Sequence, residues 1–252
     1  MVAKAITSKS VTLARRYAVN TAINFLTLYV FFALIFFGGR FIAPGLLNES
    51  LGPLVAGYFL FTMAVAAYAD LTHDLTDEAQ WGTLEQLSMS PIGFTLVIVI
   101  KTVVNLAGTF VMGVALLGLM LLTTGVSLYI PPFTLVVVGV LTLAPVVGLG
   151  FLFGGGALIF KQLGKVFSLV QLSFIGLLAL PVQEFPALKF LPIALGSNLL
   201  RQVMVNNVRL WDLAPIDIVF LGLTAAAYVA IGLIVFRFAA TRARKRGVLG
   251  HY

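Results

Sequence analysis

The sequence predicts an all-α, polytopic membrane protein with six transmembrane helices. Three observations carry that expectation. Of the 252 residues, 60% are hydrophobic and only 10% are charged, where soluble domains run nearer ~45–50% apolar and ~25% charged. Uncharged stretches recur at about the 20-residue length a helix needs to cross the hydrocarbon core. Basic residues collect at the ends of alternate stretches, which is how Lys and Arg orient a membrane chain. The composition excludes an ordinary water-soluble enzyme, and it excludes disorder, which needs low hydrophobicity and high net charge. The absence of Cys removes disulfides, thiolate catalysis and Cys-built metal sites, and two His are too few for a His-built one. A net charge of +7 would suggest nucleic acid in a soluble protein. Here it points to anchoring against the anionic lipids of a cytoplasmic leaflet, with no nucleic-acid partner.

The first span covers about 17–39, the 23 uncharged residues between Arg16 and Arg40. Lys4, Lys9, Arg15 and Arg16 before an apolar run also suit a signal peptide. The run is too long for a signal core and no small-residue cleavage site follows, so the span is retained. Ahead of it, Val2, Ile6, Leu13 and Tyr17 form a weak apolar side opposite Lys4 and Arg15, compatible with a surface helix or a frayed tail. The second span covers 50–69, the 20 residues between Glu49 and Asp70. Between Lys101 and Lys161 lie 59 uncharged residues, too many for one helix. The break from Thr123-Thr124-Gly125 to Pro131-Pro132 divides them into spans at about 98–122 and 132–160. With the third span in register from Thr102, Lys101 snorkels at the inner interface. It thereby avoids the roughly 2.5–3.5 kcal/mol of a mid-bilayer lysine. The fifth span covers about 165–181 and ends at Pro181, and the sixth covers about 217–237. Residues 1–252 read as one transmembrane domain without tandem repeats.

An inner N-terminus puts twelve of the sixteen basic residues on the cytoplasmic side and leaves Arg40, Lys189, Arg201 and Arg209 outside. Both termini are then cytoplasmic, in a multi-pass protein of the cell membrane. The cytoplasmic segment 70–91 breaks the pattern, with no Lys or Arg and with Asp70, Asp74, Asp77, Glu78 and Glu85. Asp70, Asp74 and Asp77 share one face of a helix continuing the second span. Gly82 allows a bend, and Thr83 to Ser88 suit a short second helix ended before Pro91. Three readings fit these residues: a docking knuckle for a soluble partner, a Mg²⁺ site holding a lipid diphosphate, or a solvated helix extension.

Glu78, Gly82-Thr83-Leu84-Glu85-Gln86-Leu87, Ser90-Pro91 and Lys101 resemble the cytoplasmic loop of ABC-2 type transporter permeases in both residue type and spacing. The stretch from Leu191-Pro192 to Asn198 and Arg201 is similar to a more degenerate family block before the last span. Gln80 and Trp81 stand where the family usually has basic residues, and Asn198 where it has Asp. The resemblance covers essentially the whole chain. It implies an ABC-2, type V exporter-like fold in which residues 78–91 form a coupling helix seated on an ATP-binding subunit. Glu78, Trp81, Gly82, Thr83, Leu84, Glu85, Gln86 and Leu87 would make that contact. It further implies a dimer of this chain, or a pair with a close relative, and two ATPase copies. ATP and Mg²⁺ would belong to those subunits, since this chain has no GxxxxGK[ST] and no cofactor of its own.

The resemblance also implies that residues 182–212 fold back into the outer leaflet as a re-entrant segment, with Glu184, Asn198 and Arg201 at an outer gate or pathway. Pro181, Pro186 and Pro192 break any single helix there, and Phe185, Leu188 and Phe190 are too apolar for a free loop. The spans hold almost no ionisable group, unlike those of ion-coupled carriers. Asn24, Asn105 and Gln171 are the polar exceptions, read first as interhelical hydrogen bonds. Gly108, Gly113, Gly118, Gly148 and Gly154-Gly155-Gly156 read as sites of close helix packing. The function expected is therefore a non-catalytic permease subunit exporting an amphipathic or lipid-like substrate: a drug, lipid, glycolipid or polysaccharide. The alternatives are a Mg-dependent membrane transferase using Asp70, Asp74 and Asp77, or a channel-like or structural membrane protein.

Overall fold

A computed structural model of the chain describes residues 18–42, 51–80, 93–159 and 164–245. They form seven α-helices in chain order: α1 Ala18–Ile42, α2 Leu51–Gln80, α3 Phe94–Thr124, α4 Pro132–Ile159, α5 Gly164–Leu178, α6 Ala194–Asn206 and α7 Pro215–Lys245. Two short 3₁₀ turns, Pro186–Phe190 and Leu210–Asp212, flank α6, and no strand occurs among the described residues. Five helices, α1 to α4 and α7, are long and apolar enough to cross a membrane. Helix α5 has 15 residues, about 22 Å at 1.5 Å per residue, against a hydrocarbon core of about 30 Å.

The helices outrun the uncharged windows that announce them. Helix α2 continues eleven residues past the span limit at Ala69, in line with the helical extension expected through Asp77, while α3 starts at Phe94 instead of 98 and α7 runs to Lys245 instead of 237. Charges end the apolar window without ending the helix, because the backbone ladder needs no apolar side chain to continue. Backbone chemistry sets the stop instead: Gly125 ends α3 at φ 68°, its N–H donating to the Leu121 carbonyl at 3.0 Å.

Register fixes the directions. Met63 lies against Gly113, Asp70 meets Thr109 and Asp74 meets Asn105, so α2 and α3 are antiparallel. Gly148 lies against the Tyr228 and Val229 backbone and Gly155 against Phe236 and Ala239, so α4 and α7 run parallel. The chain between them must therefore return along the bundle, and α5 is the helix that does so among the described residues. The end holding Gln80, Phe94, Ile159 and Lys245 is called the near end below, and the opposite one the far end.

The pair α4–α7 has the most extensive contact in the fold. A Cβ added at Gly148 would strike the Tyr228 carbonyl, and one at Gly232 the Gly148 carbonyl, so the two backbones touch. Gly113, Gly148 and Gly155 match their reading as close-packing sites, whereas Gly108 and Gly118 face open space. A near-end cluster joins Leu71, Phe94, Ile98, Phe151 and Phe236, and a larger one fills the middle and far end. Helix α1 lies at the edge. Its Phe32 and Phe36 are buried, and the Tyr58 hydroxyl donates to the Leu28 carbonyl at 2.6 Å, while Ile23, Leu26, Phe31 and Leu34 point outward.

Candidate functional site

Polar side chains of α2 and α3 converge on one seam. Asp70 and Asp74 sit one turn apart on α2, and Lys101, Asn105 and Thr109 occupy successive turns of α3. Residues four apart on a helix share a face, so antiparallel packing brings the two rows opposite each other. The Thr109 hydroxyl donates to Asp70 Oδ2 at 3.1 Å, and Asn105 Nδ2 donates to Asp74 Oδ2 at 2.9 Å. Lys101 Nζ lies 3.2 Å from Asp74 Oδ1, the two side chains 24% and 30% exposed. The result is a three-rung ladder at the near end of the apolar span. Charges at such a depth persist only with partners, and here each carboxylate has one. A small cavity of 10 Å³, about the space of one water, adjoins the ladder between Asp70, Thr102, Asn105 and Val147.

By sequence alone Lys101 snorkels at the inner interface, and the acidic face of α2 is open to a soluble partner, a metal or solvent. The structure pairs Lys101 with Asp74 and directs Asp70 and Asp74 into the α2–α3 seam. The helical continuation of α2 through this face agrees with expectation, and so does Asn105 as an interhelical hydrogen bond. The Asp77 side chain lies outside the described residues. Among the described ones, no three His, Asp or Glu converge as metal ligands. Of the expected ATPase contact, Glu78 falls in the last turn of α2. Its side chain, and all of Trp81, Gly82, Thr83, Leu84, Glu85, Gln86 and Leu87, lie outside the described residues.

At the far end, α6 enters the bundle instead of capping it. Ala194 to Ser197 are buried, and Gly196 packs so closely on Thr142 that a Cβ there would collide with the threonine side chain. Thr142 stands ten residues, about 15 Å, below the start of α4. The other end of α6 returns to the rim, where the Tyr129 N–H donates to the Met204 carbonyl at 2.9 Å. Ile193 makes the deepest turn at φ 70°, a region that β-branched residues rarely adopt.

The three expected gate residues are not brought together. Glu184 is exposed in the turn after α5, and Arg201 is exposed on the outer face of α6. Asn198 is half-buried and accepts from Gln202 Nε2 at 2.8 Å. The far-end ion pair is instead Lys189 with Asp217, at 2.6 Å, tying the 3₁₀ turn to the first turn of α7. Beside it the Tyr228 hydroxyl donates to the Phe190 carbonyl at 3.1 Å and Phe190 packs edge-on against Phe220. Asp217 two residues inside a Pro-led helix start was the available signal, since an acid there suits the helix dipole. Its lysine partner, 28 residues upstream, left no comparable trace.

Comparison with family models, with curated proteins and with solved structures finds no match for this chain.

Proposed function

We propose that this chain is the membrane-spanning permease subunit of an ATP-driven exporter of the ABC-2 type, moving an amphipathic or lipid-like substrate. In this reading the near end is cytoplasmic, both termini lie there, and α5 supplies a sixth, short crossing in the cell membrane. Two copies of a separate ATP-binding subunit provide the ATP chemistry, and the permease works as a dimer of itself or with a close relative. Residues 78–91 transmit the motion, and α6 with Glu184, Asn198 and Arg201 forms the outer exit as a re-entrant element.

One observation carries the reading beyond the Gly-Thr-Leu-Glu resemblance. Residues 81–92 hang between two helices, α2 above Gln80 and α3 below Phe94, that the Asp74–Lys101 pair ties together about two turns away. A force applied to that segment reaches the interior through α2 and α3 as one unit, which is the mechanical requirement for gating by an external motor. The antiparallel ladder then passes the displacement to Asp70 and Thr109 deeper in the span. Ionisable groups are sparse in the spans, and Asp74 and Lys101 on this seam engage each other, which argues against an ion-coupled carrier.

Co-expression with an ABC-type ATP-binding subunit from the same gene neighbourhood tests the proposal. The two proteins are expected to co-purify, and ATP-dependent uptake of a lipid-like dye into inverted vesicles, which reports export, is expected to fall at least about tenfold on Glu85→Lys, a charge reversal at an interface. Failure to co-purify, or full uptake by the variant, would falsify it. Conductance without ATP would favour the channel, and Mg²⁺-dependent turnover lost on Asp74→Asn the transferase.

A further inference from the structure

A groove of 610 Å³ opens at the near end between the first turns of α3 and the last turns of α7. That volume lies in the range of ligand pockets, about 300–1,000 Å³. Phe94, Leu96 and Val99 form one wall and Leu233 the other, with Arg237 and Thr241 one turn apart on the α7 side. Phe94 stacks on Phe236 at 5.7 Å, closing the groove toward the core. None of the lining residues is acidic. The Arg237 side chain is exposed, and no carboxylate of the described residues pairs with it.

We propose that this groove is a binding site for one anionic phospholipid, an acyl chain lying along the apolar walls and the headgroup phosphate meeting Arg237. Three features select that occupant. The walls belong to membrane-crossing helices, so lipid is the medium they face. Among the described residues the one charge on the groove is a guanidinium, whose planar fork matches phosphate oxygens and which loses its hydration more readily than an ammonium. Arg237 stands six residues before Ala243, where the apolar stretch of α7 ends, close enough for an arginine to snorkel to the interface. The site depends on the multi-pass membrane fold alone and not on the transporter reading. Basic pockets between membrane helices are suited to anionic headgroups in this way.

The test is native mass spectrometry of the full-length chain in mild detergent with equal amounts of dioleoyl phosphatidylglycerol and dioleoyl phosphatidylcholine. Retention of the anionic lipid is expected to exceed that of the zwitterionic one about fivefold, the worth of a single basic side chain near such a surface. Arg237→Gln is expected to bring the ratio to about one with zwitterionic binding kept, and Arg237→Lys to preserve most of the preference. Thr241→Trp, filling the mouth at an exposed position, is expected to lower retention of both lipids. An unchanged ratio in Arg237→Gln overturns the proposal. So does undiminished lipid retention in Thr241→Trp. A shift of that variant from dimer to monomer with no lipid adduct in either form does the same, because a second copy of the chain would then be the occupant.

Discussion

Two seams of this bundle are held by opposite means. Between α4 and α7 the contact is glycine on backbone, at Gly148, Gly155 and Gly232. Between α2 and α3 it is Asp70, Asp74, Lys101, Asn105 and Thr109 reaching across. A backbone contact has one fit and no substitute, so the glycine seam resists sliding. A polar contact can exchange a partner for water at modest cost, so the ladder holds α2 to α3 while tolerating small local displacements. The rigid seam joins the two helices with the largest mutual surface, and the exchangeable one joins those that hold residues 81–92.

The comparison breaks most directly at Gly148. Gly148→Ala places a methyl on the Tyr228 carbonyl and is expected to cost about 3 kcal/mol, the upper end of overpacking penalties. Loss of monodispersity after heating in detergent would read it. A milder outcome, under about 1 kcal/mol, would mean that the seam yields and the contrast fails. Next comes the ladder. Lys101→Ala removes the Lys101 ammonium from Asp74 and is expected to cost about 2 kcal/mol, between the exposed and fully buried cases. Lys101→Gln combined with Asp74→Asn is expected to restore most of that loss, since both charges are then gone. If the double variant is no more stable than Lys101→Ala, the ladder is not a pair in the energetic sense. The smallest effect sharpens the contrast. Gly108 faces open space, so Gly108→Ala is expected to stabilise by about 0.5 kcal/mol through helix propensity, the opposite sign from Gly148→Ala.

These pairs also mark what could be read in the sequence. Charge-free windows locate the long helices because a membrane imposes length on composition, and Asn105 stood out because an amide in an apolar span needs a partner. The continuation of α2 past Asp70 is legible from its acidic helical face, whereas the run of α7 from Arg237 to Lys245 lies beyond the uncharged window that marks its span. Gly148 and Gly108 look alike in one dimension, and only the register of a neighbouring helix separates them. The same holds for Lys101 and Asp74, 27 residues apart, whose meeting follows from α2–α3 register and from no local pattern. Residues 78–91 carried the strongest motif, while Asp74 and Lys101, at its base, are where the structure adds the chemistry.

The parallel course of α4 and α7 has a consequence for how the chain is made. Gly148 and Tyr228 are 80 residues apart in order of synthesis, and domains acquire structure from the N-terminus as the ribosome proceeds. The largest contact surface of the bundle therefore stays open through the insertion of α5 and α6 and closes last, when α7 arrives. Until then Gly148 and Gly155 form an uncovered notch in a half-built protein. A chain truncated before Pro215 would keep that notch, and membrane quality-control proteases would see an unfinished bundle. In this fold α7 works as the clasp that closes over α4.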